Sequence, residues 1–510
     1  MHVDRPRLKL RHHRNPSLST PTKGSVQYRG DVNETVSAVS SHLGESDDFV
    51  VRSFHVAGRH CAFLFYDSIC DRDVVDKSIR SLLHYHYPKR MHMAFESYIL
   101  DRVLTGVNLN LASDLHEILR PLTNGDLVIL IERVSNVIVI PARSVEHRTP
   151  EQPTVEVTTR GSQISFVENY QTNVGLIRAN LACANLSVKE YKLGERSRRT
   201  VAMVYLSDVA NPSLVRRLQE KISRVNTDVV VGSATVEQSL SEHPWSPFPM
   251  SRVTQRIDAV TREVVQGKVV LIVDGDPCVL LYPVTIQDFF QTSEDYMRST
   301  WEATLIRGLR VIALLLSLYL PAMYVAFVDF NPELLPKVLG MQIAQSREGV
   351  PFSAFVEVVL MQIVVEILRE ATLRMPRQLG QTISIVGGLV VGEATVQAGL
   401  VSNILIIVVS LTAISFFVIP SYEFTNLLRI GSWITLLASA VFGFYGVLLV
   451  SLWFLYEVVS LRSFGTPYLA PMDGEYIRDL FVDGLIRYPL KLLQKRAEHN
   501  KPVDDKGAES

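Results

Sequence analysis

Long uncharged runs near the C-terminus constrain this chain more than any other feature. Residues 311–328 (VIALLLSLYLPAMYVAFV), 394–422 and 430–456 contain no charged residue. A bilayer span needs about 20 mostly apolar residues, and no comparable run precedes residue 300. The expected class is therefore multidomain, α/β followed by membrane α-helical. The α/β part is soluble, and the membrane part is a bundle of four, or five, transmembrane helices. A net charge of −1 from 51 basic and 52 acidic residues argues against a protein that binds nucleic acid through phosphates.

The soluble part contains an internal repeat. AFLFYDSICDRDVVDKSIRSLL from Ala62 aligns without gaps to AMVYLSDVANPSLVRRLQEKIS from Ala202, an offset of 140. Both read as a buried strand, a polar turn and an amphipathic helix, with Asp71 and Asn211 at equivalent N-cap positions. LVILIERVSNVIVIP at 127–141 matches VVLIVDGDPCVLLYP at 269–283, an offset of 142. Each is a strand, a polar turn and a second strand, and Asp274-Gly275 is a hairpin turn signal. SFVENYQTNVGLIRANL between the copies reads as a helix that braces one unit on the other.

The expected organisation has seven parts. Residues 1–44 are a disordered basic tail, 45–145 a first cytosolic α/β subdomain and 146–184 a linker helix. Residues 185–285 are a second subdomain, 286–308 an amphipathic connector, 309–460 the transmembrane domain and 461–510 a cytosolic tail.

Chemistry has little support. No GxGxxG, GxxxxGK[ST], GxSxG or HExxH occurs, so no catalytic residue, metal or cofactor is expected. His12–His13 read as solvated tail, His84 and His86 as a surface strand or loop, and Asp71 and Asp73 as a helix cap. Cys61, Cys70, Cys183 and Cys278 form no CxxC. With no signal-like apolar stretch at the N-terminus, the first domain is expected in the reducing cytosol with free thiols.

Loop charge sets the expected topology. Arg307 and Arg310 precede the first apolar run, while 329–350 carries only Lys337 and Arg347 as basic residues. A second span near 352–370 ends in Arg369, Arg374 and Arg377. The positive-inside rule then places the N-terminal domain and the basic tail after Glu457 in the cytosol. Four crossings satisfy this, near 311–328, 352–370, 402–420 and 433–456. Residues 380–400, with five glycines and Glu393, read as a further span, a re-entrant segment or a helix along the bundle.

The stretch SAFVEVVLMQIVVEILREA at 353–371 combines apolar length with Glu357, Glu366 and Glu370. Gln362, Glu366 and Glu370 follow at one-turn steps and form a polar stripe. Glu357 falls on the opposite side, about 180° away at 3.6 residues per turn. Such a stripe must face protein or water. Either Arg369 or Arg374 neutralises a carboxylate in a buried ion pair, or copies around an axis turn the acids into rings that favour cations. Glu393 and Gln397 are the second set of pore candidates. Gly388 and Gly392 form a GxxxG that suits close helix packing.

A run of motifs resembles the A subunit of GerA-type spore germinant receptors. They are FVENYQTNVGLIR (166–178), HPWSPFP (243–249), VVLIVDGDP (269–277) and FFQTSEDYM (289–297), then REGVPFSAFVE (347–357) and EILREATLRMP (366–376). GQTISIVGGLVVGEATVQAGLVS (380–402), IPSY (419–422) and LRSFGTPYLAP (461–471) complete the set. The resemblance implies a multi-pass protein of the spore inner membrane that oligomerises into a nutrient-gated cation channel and triggers germination. It implies a transporter-like, nutrient-binding B subunit and a lipoprotein C subunit as partners, besides further copies of the chain and membrane lipid. A non-conducting scaffold and a paralogue encoded with dipicolinate-channel genes are the alternatives. The resemblance supplies no pore residues, so Gln362, Glu366, Glu370, Glu393 and Gln397 rest on the helix argument. At position 393 the family pattern is often neutral, which makes Glu393 a departure.

Overall fold

The computed structural model describes residues 28, 30–43, 46–84, 95–104, 109–144, 161–374, 392–472, 483–484, 486–489 and 495–504. The first unit runs α1 (Val32–Leu43), β1 (Phe49–Val56), β2 (Arg59–Tyr66), α2 (Arg72–His84), α3 (Phe95–Tyr98), β3 (Asn110–Ala112), α4 (Leu115–Asn124), β4 (Leu127–Ile131) and β5 (Val137–Ile140). The second repeats that plan element for element: α5 (Tyr170–Asn180), β6 (Leu186–Leu193), β7 (Arg199–Leu206), α6 (Pro212–Arg224), α7 (Ser233–Leu240), β8 (Arg252–Thr254), α8 (Ile257–Val265), β9 (Val269–Val273) and β10 (Val279–Tyr282). The sheets have matching orders, β1-β2-β4-β5-β3 and β6-β7-β9-β10-β8, with antiparallel neighbours throughout.

Alternation along the central strands feeds two cores. Cys61, Phe63 and Phe65 pack towards α2, while Ala62, Leu64 and Tyr66 pack towards α1 and α4. A strand buried on both faces has no polar side, which is why β4 and β9 read as unbroken apolar runs. Asp71 accepts from the Asp73 N–H at 2.8 Å, and Asn211 from the Ser213 N–H at 2.9 Å, so equivalent caps start α2 and α6.

Two expected boundaries shift. The disordered tail does not reach residue 44, because α1 buries Val32, Val39 and Leu43 against the first sheet. Residues 1–27 lie outside the described residues. The spacing of Val32, Val36, Val39 and Leu43 is helical, but a polar surrounding composition masked it. Likewise α5 is no mere linker. It holds the place in the second unit that α1 holds in the first, burying Val174 and Ile177 beside Phe166.

The α5 helix also joins the units. Asn169 caps it by accepting from the Thr172 N–H at 3.0 Å. At Gly175 any Cβ would lie 2.2 Å from the Ser68 carbonyl oxygen, so only glycine lets the first unit approach. Arg178, 2 % exposed, donates to both Asp48 carboxylate oxygens at 2.6 and 2.7 Å and stacks 3.8 Å from the centre of the Tyr66 ring. Burial opposes the Asp48 charge, but Arg178 and the Ser46 and Ser68 hydroxyls outweigh it and hold the carboxyl below its ordinary range.

A second buried charge cluster joins the α/β part to the helices. Asp295, in a short turn capped by Thr292, accepts from Arg310 at 2.6 and 2.9 Å and from Arg307 at 3.4 Å. Burial works against its ionisation, yet Arg310 and Arg307 bring it below the usual carboxylate range. Arg307 also reaches Asp483 of the tail at 3.2 Å. Beside this cluster Glu263 binds Lys268 at 3.0 Å, and Lys268 binds Asp288 at 2.5 Å. Arg307 and Arg310 thus do more than flank a span: they anchor the foot of α9 (Thr300–Val325).

From that foot α9 runs to Asp329 at the far end. There α10 (Lys337–Ser346) leads into α11 (Ala354–Arg374), which returns towards the α/β part. Next, α12 (Asn403–Val418) starts at the far end, where Ser402 meets Tyr324 at 3.2 Å. The expected single span at 433–456 is instead two helices, α13 (Tyr422–Phe442) and α14 (Phe444–Ser460). Gly443 has φ of +59°, and a Cβ there would lie 2.9 Å from Phe330. The helices fold back on each other, bringing Gly431 against Phe454. The run was long enough for two helices, and only the turn conformation open to glycine divides it. α14 ends beside the second unit, where β11 (Arg462–Ser463) and β12 (Thr466–Pro467) pack on it. The Val284 N–H donates to the Ser463 hydroxyl at 3.2 Å. Whether 380–400 crosses concerns residues mostly outside those described; only 392–400 are included.

Two segments, Thr300–Phe330 and Tyr422–Phe442, are long and apolar enough to cross a membrane, and α12 and α14 are shorter apolar helices. Their outer surfaces expose Ile312, Ile407, Phe417, Val441, Leu449 and Leu455.

Removing Arg178 strands a buried carboxylate, so Arg178→Ala is expected to cost about 3–5 kcal/mol in denaturant unfolding of the purified full-length protein. The double variant with Asp48→Ala should lose clearly less than the sum of the single losses. An additive result would show the pair to be inert. Asp48, Asp295 and Glu263 all have folded pKa values below their unfolded ones. Their contribution is complete at neutral pH and falls away as pH drops below about 4. A thermal midpoint insensitive to pH between about 5 and 3 would contradict this.

Candidate functional site

The helices place acids at two levels. At the far end, Glu357 is fully buried. It accepts from Arg347 at 3.1 Å and from the Ser402 N–H, at the start of α12, at 3.0 Å. Asp329 binds the same arginine at 3.5 Å and accepts from the first N–H groups of α11, those of Ala354 and Phe355, at 3.3 and 3.1 Å. Both carboxylates sit on helix N-termini, where unpaired N–H groups favour negative charge. Arg347 locks the two together, so Glu357 closes the bundle structurally.

The second level is a cavity of about 730 Å³ between α11, α12, α13 and the connector below them. Gln362, Glu366 and Arg369 of α11 line one wall, Thr412 and Phe416 of α12 another, and Arg429, Ser432 and Trp433 of α13 a third. Arg252, Asp288 and Thr292 form the floor. Glu366 pairs with Arg429 across the cavity. Three buried polar atoms on the lining, Gln362 Oε1, Arg429 Nε and Ser432 Oγ, have no hydrogen-bond partner among the described residues. Orphaned polar atoms around apolar walls are the usual make-up of a small-molecule or water-holding site.

The five sequence candidates separate. Gln362 and Glu366 face the cavity. Glu370 turns to the surface and binds Arg374 at 2.7 Å, with both side chains more than half exposed. One-turn steps of four residues drift by about 40° each, so a stripe of three cannot stay on one wall. Glu393 and Gln397 are exposed and hydrogen-bond each other at 3.1 Å, away from the cavity lining. Gly388 and Arg377 lie outside the described residues. Of the two arginines expected in a buried ion pair, Arg374 meets Glu370 at the surface instead, and Arg369 has no ion-pair partner among the described residues. Arg429 was missed. Its signal was a lone cation inside the apolar segment LLRIG, which an apolar helix tolerates only opposite a partner.

Among the described residues no group of His, Cys, Asp and Glu side chains could hold a metal ion. Burial pushes the Cys61 and Cys70 thiols up to about 12, so neither is a nucleophile near neutral pH.

Tandem antiparallel α/β units, clamped by buried charges to apolar-faced helices around a largely apolar cavity, define a two-module protein with an α/β half and a half of apolar helices. Over residues 37–499 the chain matches the family described as Bacillus/Clostridium GerA spore germination protein. It belongs to that family. It is 34% identical over 481 residues to spore germination protein GerLA of Bacillus cereus, covering 94% of this chain and 97% of GerLA. It is 32% identical over 482 residues to spore germination protein B1 of Bacillus subtilis (strain 168), covering 94% and 99%. The crystal structure of the N-terminal domain of the A subunit of the Bacillus megaterium spore germinant receptor GerK3 covers 51% of this chain and 97% of its own. It matches at 20% identity with a TM-score of 0.40.

Removing one partner of the Glu366–Arg429 pair leaves the other unmatched in a half-buried place. Glu366→Gln is expected to lower stability by about 1–3 kcal/mol, and adding Arg429→Gln should recover part of the loss. Melting of the solubilised full-length variants measures it; independent effects would mean the pair is not coupled.

Proposed function

We propose that this chain is the A subunit of a nutrient germinant receptor of bacterial spores. The full-length match to GerA spore germination proteins carries this reading. The C-terminal helices span the spore inner membrane in several passes, supported by the apolar side chains exposed around α9, α12, α13 and α14. The N-terminal units and the tail lie in the cytosol, since the tail packs on the second unit and the loop at the far end is poor in basic residues. Copies of the chain assemble with a transporter-like, nutrient-binding B subunit and a lipoprotein C subunit. Nutrient binding opens a cation path that starts germination, and this chain performs no catalysis.

The exposed Glu393 and Gln397 and the cavity-facing Gln362 and Glu366 support the conducting reading, because such groups on apolar helices need water or a neighbour. One observation favours the scaffold alternative. Glu366 and Glu370 are each matched by an arginine within a single copy, which leaves less free charge for cations.

Reconstitution of the receptor with conductance recording decides between the two. The conducting reading requires nutrient-dependent current, reduced several-fold by Glu393→Gln with assembly intact; a complete receptor silent under every nutrient tested leaves the scaffold. The topology has its own check. A cysteine replacing Lys337 should react with an impermeant maleimide from outside, whereas one replacing Arg216 should not. Reversed labelling would invert the membrane reading.

A further inference from the structure

We propose that the cavity between α11, α12 and α13 is a binding site for a monoanionic phospholipid of the cytosol-facing leaflet, with its headgroup phosphate on Arg369. This rests on the membrane reading above. Charge balance is the first observation. Among the described residues every acid on the lining meets a cation: Asp288 meets Lys268, which it shares with Glu263, Glu294 meets Arg298, shared with Glu302, and Glu366 meets Arg429. Arg252 and Arg256 are taken up by Glu263 and Asp258. Arg369 is the lining cation that makes no ion pair or hydrogen bond to another described residue. The described lining holds four arginines, Arg252, Arg256, Arg369 and Arg429, against three carboxylates, Asp288, Glu294 and Glu366, an excess of one positive charge that suits a ligand with one negative charge.

The second observation is the shape and polarity of the walls. Above Arg369 the lining turns apolar and aromatic through Val365, Phe416 and Trp433. Phe417 and Leu373, both on the lining, are 81% and 59% exposed on the outer apolar surface. The mouth thus opens sideways, where acyl chains lie, and not only towards water. The volume of about 730 Å³ falls within the range of ligand sites, roughly 300–1,000 Å³. Arg369 sits near the end of α11 beside the connector, at the depth of a headgroup on the side of the α/β units. Gln362 Oε1, Arg429 Nε and Ser432 Oγ, unpartnered in the same cavity, offer an acceptor and two donors for glycerol and ester groups.

The full-length protein, purified in neutral detergent, is tested by native mass spectrometry and thermal shift. The probes are phosphatidylglycerol, phosphatidylcholine with the same chains, and inorganic phosphate. The expected result is preferential retention of phosphatidylglycerol. Arg369→Gln should weaken it about tenfold, as for loss of a charge-assisted hydrogen bond, and Arg369→Lys should weaken it less. Arg462→Gln, an exposed arginine at the same end but off the lining, should change it by less than about twofold. Equal retention of phosphatidylcholine, indifference to Arg369→Gln, or saturation by phosphate alone overturns the proposal, the last by showing a soluble-anion site. So does exclusion of the lipid from assembled oligomers, which would make a neighbouring copy the occupant. Recovery of the protein without detergent would sink the membrane reading itself, whereas a membrane protein without lipid preference would sink this inference alone.

Discussion

Asp295 lies between Arg307 and Arg310 almost without exposed surface, and the α/β part meets the helices through that contact. Taking one carboxylate and two guanidiniums out of water is expensive, and apolar packing of equal volume often matches such a cluster in stability. What the cluster adds is direction. Guanidinium groups bind carboxylates in fixed planes, so α9 can leave the turn at 293–296 in few orientations. The second positive charge is met by Asp483, which ties the tail to the same point. The α/β units, α9 and the tail therefore share one buried ionic joint.

The acids of the helices divide by partner. Glu357 and Asp329 serve helix N-termini through Arg347, and Glu366 is balanced by Arg429 from α13. A single copy thus neutralises most of the charge that its apolar helices carry. Glu393 and Gln397 remain exposed beyond the protomer, and Arg369 remains open towards the cavity. Burial in apolar surroundings makes an unmatched charge costly, so such groups are best placed against water, an ion or a neighbouring polar molecule.

Much of the α/β fold was legible. The strand–helix and hairpin repeats at 62–83 and 202–223, and at 127–141 and 269–283, appear as β2–α2, β7–α6 and the two hairpins, because period-2 and period-3.6 patterns are local. The motif FVENYQTNVGLIR could be seen but not explained. Its Asn169 is a cap, its Gly175 a close approach and its Arg178 a clamp on a residue 130 positions earlier. Only the helix is a property of the stretch alone. The site was half legible. Gln362 and Glu366 were visible as polar residues in an apolar helix, but Glu370 drifted off their wall and Arg429 was hidden in another helix.

Read alone, the residues determine the two-module plan, the duplicated α/β units and the family, since each depends on composition, periodicity or motif order along the chain. Which acid meets which arginine is decided only in three dimensions, because Glu366 and Arg429 are brought together by the crossing of α11 and α13. The same holds for the turn at Gly443. An apolar run states that helices form there, but contact with Phe330 and the return of α14 to the second unit decide that there are two. Pairing between distant charges and the reversal of a uniform apolar stretch leave no periodic trace, and packing alone selects them.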